Sequence, residues 1–124
     1  MTYQITLSPD KSFVILAVQG TITAATAIEY IREAHILASE HGILRRLMDL
    51  RGCRNVDPVA ASLNFAVYGM ANDPRINNHA RVALLVDPDD HSHDIVLAAC
   101  QCAGLEGSLF TDLAAAEKYL KRGH

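Results

Sequence analysis

Residues 82–86 read Val82-Ala83-Leu84-Leu85-Val86, five apolar side chains in a row with no polar alternation. Successive strand residues point to opposite faces, so a strand of this composition is covered on both sides. Such strands belong to parallel sheets with helices packed on each face. The rest of the chain fits this demand. Residues 3–7 and 12–18 are β-rich runs separated by Ser8-Pro9-Asp10-Lys11, a turn signal, and form a hairpin, with Gly20 ending the second strand. Residues 23–41 predict a first helix with Ile28, Ile31, His35 and Ala38 on one face and Gly42 as its stop. Thr26 with Glu29 three residues on makes a capping box if the helix starts there rather than at Thr23.

A third strand is expected over 44–50, leaving through a loop, Arg51-Gly52-Cys53-Arg54-Asn55. Asp57-Pro58 opens a second helix: aspartate caps, and proline at the first helical position lacks only an N–H that has no partner there anyway. Val59, Leu63, Val67 and Met70 give it a buried stripe, and Asn72-Asp73-Pro74 ends it. After the fourth strand at 81–86, Asp87-Pro88-Asp89-Asp90 breaks the chain, and a third helix runs over about 92–103 to Gly104. A short strand at 108–110 and a helix capped by Thr111 or Asp112 close the order ββαβαβαβα. Alternating strands and helices require right-handed crossovers, hence an α/β fold with a mostly parallel sheet and one antiparallel strand from the N-terminal hairpin.

At 124 residues this is expected to be a single domain spanning 1–124, with enough chain to bury a core unaided. The formal net charge of −3, with no basic run longer than Arg45-Arg46, argues against a nucleic-acid partner, which needs a clustered cationic footprint. No apolar stretch approaches a membrane span, and Met1-Thr2-Tyr3-Gln4 does not start a signal peptide. Cys53, Cys100 and Cys102 make an odd set without framework spacing, consistent with reduced thiols and a cytoplasmic location.

The motifs Gly20-Thr21-Ile22-Thr23, Met48-Asp49-Leu50-Arg51, Arg81-Val82-Ala83-Leu84-Leu85-Val86 and Phe110-Thr111-Asp112 with Ala116 and Tyr119-Leu120 follow one another across nearly the whole chain. In that order the chain resembles the STAS (SpoIIAA-like) family, the domain of bacterial anti-sigma-factor antagonists and of sulfate-transporter cytoplasmic tails. It is similar in particular to a bacterial branch grouped with the CRAL-TRIO lipid-transfer fold. The resemblance implies a SpoIIAA-like fold and, in regulatory members, a phosphorylatable serine or threonine at the N-terminus of the second helix. Here that place reads Asn55-Val56-Asp57-Pro58-Val59, without a hydroxyl, and Ser62 lies a full turn into the helix. A kinase-driven switch at this loop is therefore not expected.

Ligands of open α/β sheets gather outside the carboxyl ends of the strands. That rim would collect Arg51, Cys53 and Arg54 from one loop, Asp87 to His93 from the next, and Thr111 from the last. The ligand or partner residues proposed from it are Arg51, Arg54, Asp57 and Asp87, the structural alternative being Arg51 paired with Asp49 or Asp87. His91 and His93 have metal-compatible chemistry but no i,i+4 spacing, so a turn with solvated histidines is expected and no metal. Cys100 and Cys102 diverge on a helix, only Cys102 joining the Ile95-Ala98-Ala99 stripe, whereas Cys53 lies between two arginines whose charge would favour a thiolate, the simpler reading being a surface or half-buried bystander. No nucleophile, base and orienter fall into a recognisable motif, so no enzyme activity and no cofactor are expected.

Opposite the stripe of the second helix, Ala61, Phe65 and Tyr68 share a second face, either a docking surface or the scattered apolar area that surfaces commonly carry. Two functions follow. One is a non-enzymatic STAS-like regulatory or interaction module that binds a protein partner or a second copy through the second helix and its preceding loop. The alternative, implied by the CRAL-TRIO resemblance, is a carrier of a small apolar or lipid-like ligand between the second and third helices.

Overall fold

β1 (Thr2–Leu7) and β2 (Val14–Ile22) form the expected antiparallel hairpin, in register from Thr2 opposite Gln19 to Leu7 opposite Val14. The computed structural model describes residues 2–56, 81–94, 97–98, 101 and 106–122. The hairpin turn is held by side chains. The Ser8 hydroxyl accepts from the amides of Ser12 and Phe13 at 3.0 and 3.2 Å, and Asp10 accepts from the hydroxyls of Ser8 and Ser12 at 2.8 and 2.7 Å. Those hydroxyl bonds, Ser12's first, hold the Asp10 carboxyl well below its ordinary range. Lys11 takes the left-handed backbone the turn requires, with φ at 58°.

β3 (Arg45–Asp49), β5 (Arg81–Leu85) and β6 (Glu106–Phe110) extend the sheet in parallel, giving the strand order β1-β2-β3-β5-β6. The mostly parallel sheet with one antiparallel hairpin strand is as expected. One correction concerns its far corner. β2 does not end at Gly20, and residues 53–55 are not loop: β4 (Cys53–Asn55) pairs in parallel with Gly20, Thr21 and Ile22. The cause is local. Gly20 sits at φ 101°, a conformation side-chain-bearing residues rarely adopt, and β2 leaves β3 after Ala17 to pick up β4 as its new neighbour.

Every residue of β5 is buried, and its neighbours divide by face as the unbroken apolar run demands. Val82, Leu84 and Val86 join Leu16, Val18, Met48 and the helix residues Tyr30 and Ile31. Ala83 and Leu85 join Phe13, Leu47, Ala116 and Leu120 on the other side. The first face is covered by α1 (Ala24–Glu40), the second by α2 (Leu113–Lys121), which is the expected C-terminal helix. α1 is capped one turn earlier than the Thr26–Glu29 box: Thr23 accepts from the Thr26 amide while Thr26 accepts from the Thr23 amide. Its sheet-facing stripe is Ile31, Ala34 and Ala38, with His35 only half-buried beside Ser39. Asp112 caps α2, accepting from the amides of Ala114 and Ala115.

The expected second helix, with its Val59-Leu63-Val67-Met70 stripe, lies outside the described residues. Of the third, Asp94, Leu97, Ala98 and Gln101 are helical. Leu97 packs against the core while Ala98 is exposed, so the inward face is not the expected stripe through Ala98. No helix among the described residues is long and apolar enough to cross a membrane.

Arg81 ties the last helix to the middle of the sheet. Buried at the start of β5, it donates from Nε to Glu106 at 3.1 Å and from Nη1 to the carbonyls of Tyr119 and Arg122 at 3.3 and 2.7 Å. Those carbonyls end α2, where the helix dipole is negative and carbonyl partners run out. Arg81→Met is expected to cost about 1.5–3 kcal/mol, the range for hydrogen bonds to a charged group. Glu106→Gln, at an exposed carboxylate, should cost under about 1 kcal/mol. Urea unfolding of both variants checks this; equal losses would show that the helix end does not depend on Arg81.

Candidate functional site

β3 and β5 end side by side, and the Leu50 amide donates to the Leu85 carbonyl at 2.8 Å, so the loops after both strands leave together at the carboxyl edge. The chain then turns at once, Cys53 N donating to Leu50 O at 3.0 Å with Gly52 at φ 74° supplying the positive dihedral the turn needs. Arg51 folds back on Asp49 in a two-pronged pair, Nε to Oδ1 at 2.9 Å and Nη2 to Oδ2 at 2.8 Å. Burial pushes the Asp49 carboxyl up, but the hydrogen bonds from Arg51 outweigh it and leave the group below its ordinary range. Asp87, from the second loop, accepts the Gly52 amide at 2.7 Å. Arg51 is therefore paired with Asp49, the structural alternative.

β4 is fastened to the same second loop. Asn55 donates from its amide to the Ser92 hydroxyl at 3.0 Å and from Nδ2 to the Ser92 carbonyl at 3.1 Å. His93, only 1% exposed, puts Nε2 2.8 Å from the Cys53 carbonyl oxygen, and since that oxygen can only accept, Nε2 carries the proton. Asp90 is buried next to it, with Oδ2 3.6 Å from the same nitrogen and Oδ1 taking the Ser92 amide at 2.9 Å. Its burial raises the carboxyl, and the Ser92 hydrogen bonds, with the charges of His93 and Arg54, more than offset this. Arg54 reaches Asp90 only at 3.9 Å and is largely exposed.

One expectation is corrected by this arrangement: of the two histidines expected to be solvated, His91 is exposed beside Asp94, while His93 is interior. Cys53 follows the bystander reading, buried rather than at the surface, and Arg51 and Arg54 do not activate it. The residue is 2% exposed, and burial, followed by the nearby Asp90 charge, pushes its thiol up to about 11. His93 faces its carbonyl oxygen, not its sulfur, in the hydrogen bond that joins them. Arg51, Arg54 and Asp87 share one rim as expected; Asp57, Phe65 and Tyr68 lie outside the described residues. Sequence reading missed Asn55, Asp90, Ser92 and His93 as a set. Its one local sign is an aspartate two residues before a serine, the spacing at which a carboxylate accepts a backbone amide.

Two concave surfaces among the described residues lie away from this rim. A cavity of about 420 Å³ opens at the amino ends of the strands, and a wider groove of about 800 Å³ runs along Phe110 and Tyr119 between β6 and α2.

No protein-family model matches the chain, and no curated protein matches it. Among solved structures it is similar to a protein of the DUF3478 family from Shewanella loihica PV-4, described as uncharacterised and as having a SpoIIAA-like fold. The two share 16% identity over 96% of this chain and 92% of the other, with a TM-score of 0.56. At that identity the likeness establishes the fold: a STAS-like, SpoIIAA-like α/β domain.

A buried thiol with a raised pKa is protonated and shielded. Iodoacetamide at pH 8 should leave Cys53 unlabelled in the native protein and label it once unfolded, read by peptide mass spectrometry. The sign for stability follows: between the ordinary value of 9.0 and about 11 the unfolded thiol ionises and the folded one does not, so this contribution is intact below pH 9 and lost as pH climbs to about 11. Cys53→Ser should flatten that part of the stability profile. Rapid native labelling would contradict the burial.

Proposed function

We propose that the chain is a non-enzymatic STAS-like regulatory or interaction module that docks a protein partner or a second copy through the carboxyl rim of its sheet. The observation that carries this is the internal pairing of the rim: Arg51 is held by Asp49, Asp87 by the Gly52 amide, and His93 by the Cys53 carbonyl. General acid–base or nucleophilic work needs a group within reach of a substrate and free to move its proton. The Cys53 thiol is buried and the His93 ring is closed in, so neither meets that requirement. What the rim offers outward is a rigid edge. Arg54 is 66% exposed in its side chain and Val56 54% exposed, side by side on the approach to Asp57, mixing charge with apolar area as docking surfaces do. Asp57 stands where regulatory relatives carry a hydroxyl, so phosphorylation does not control this edge. The carrier alternative places its ligand between the second helix, which lies outside the described residues, and the third, which is described in part, and no observation favours it.

The double variant Arg54→Glu with Val56→Asp tests this reading. Sedimentation velocity of the pure chain and quantitative cross-linking in extract of its own cells should show a dimer or a stoichiometric partner for the wild type. Its recovery should fall about tenfold in the variant, the equivalent of 1.4 kcal/mol, at an unchanged melting temperature. A wild type that remains monomeric and partnerless, or a variant that keeps its partner, contradicts it.

A further inference from the structure

We propose a second site at the opposite, amino-terminal edge of the sheet, a binding pocket for a small phosphate monoester. The cavity of about 420 Å³ is walled by the hairpin turn, the loop after α1, and the first residues of β3, β5 and β6. Its size falls within the roughly 300–1,000 Å³ of small-molecule sites. Lys11, Arg45 and Arg81 line it against a single carboxylate, Glu106, leaving a surplus of two positive charges in a chain whose net charge is −3.

The cations are not consumed by their protein partners. Arg81 uses Nε and Nη1 on Glu106 and the end of α2, but Nη2, with two N–H groups, makes no hydrogen bond among the described residues. Among the described residues the Arg45 side chain makes one long bond, Nη2 to the Arg122 carbonyl at 3.3 Å, and its Nε and Nη1 have no partner there. Lys11 has no ion pair among the described residues; the carboxylate beside it, Asp10, takes Lys121 instead, at 3.1 Å. Glu106 is shared between Arg81 and Arg122, which further reduces its effect on the cavity.

A surplus of two matches a phosphate monoester, which carries about −1.5 to −2 at neutral pH, and guanidinium groups present paired donors suited to its oxygens. A monocarboxylate would leave half the surplus uncompensated. A nucleic-acid chain would meet the negative field of the whole protein, whereas a compact anion meets mainly the local one. Ile43 and Leu44 complete the wall with apolar surface, room for an organic group beyond the phosphate. This proposal is independent of partner docking at the carboxyl rim.

The test is an amide NMR titration of the intact chain with sodium phosphate and with glycerol 3-phosphate, beside sodium chloride at matched ionic strength. Saturable shifts at Lys11, Ser12 and Arg45 with both phosphates, absent with chloride, are expected. Tighter binding of glycerol 3-phosphate identifies an esterified ligand; equal affinity identifies the free anion, and overturns the monoester assignment. Lys11→Asn, which keeps a residue tolerant of positive φ, and Arg45→Gln should each weaken binding about tenfold without altering the melting temperature of the free protein. Shifts reproduced by chloride, or unchanged affinities in both variants, overturn the site.

Discussion

Burial of β5 on both faces is the constraint from which the remaining structure follows. A strand enclosed by side chains above and below can meet polar partners only at its ends and along its ladders. Its middle is satisfied by β3 and β6. At the amino end the enclosed residue is Arg81, whose charge is accommodated by Glu106 and by the last carbonyls of α2. At the carboxyl end the Leu85 carbonyl takes Leu50 N and Val86 N gives to the Phe110 carbonyl, which brings the loops after three strands into one place. The two edges of the sheet thus acquire opposite characters: a basic cavity at the start of the strands, a self-satisfied rim at their end.

The rim shows why residue type alone does not make a site. Cysteine, histidine, aspartate and arginine all converge there, yet each interior polar group has a partner already. An unpaired buried donor or acceptor costs about 1–3 kcal/mol, so a corner that encloses His93 and Asp90 is stable only when those groups are matched. Cys53 contributes its carbonyl to this arrangement, and its thiol is simply interior. The consequence is a rim whose interior polar groups hold one another in place.

Features set by neighbours in sequence were legible. The apolar run at Val82 to Val86, the hairpin turn at Ser8 to Lys11 and the cap of the last helix each depend on a few adjacent residues; the first two stand as read, and of the two caps offered, Thr111 and Asp112, the structure uses Asp112. β4 was not legible, because it exists through a backbone bend at Gly20, more than thirty positions earlier, that redirects β2 towards it. His93 was read as solvated because its partner is a carbonyl forty positions away, and nothing in the local run marks one histidine as interior and the other as exposed. The basic cavity was invisible for the same reason: Arg45, Arg81 and Glu106 start three different strands, Lys11 lies in the hairpin turn, and the four meet only when the sheet aligns them. The expectation that sites lie at the carboxyl edge also pointed away from it.

Native-state hydrogen exchange at the amides of Gly20, Gly52, Cys53, Asn55 and Val56 tests the fixed rim most directly. These donate respectively to the Gly52 carbonyl, the Asp87 carboxylate, the Leu50 carbonyl, the Ser92 hydroxyl and the Ile22 carbonyl. If the rim is a fixed clasp, all five exchange slowly and together, with an opening free energy close to that of the β5 amides. Exchange of the Gly52, Cys53 and Asn55 amides at the rate of an open loop, while β5 stays protected, would contradict it.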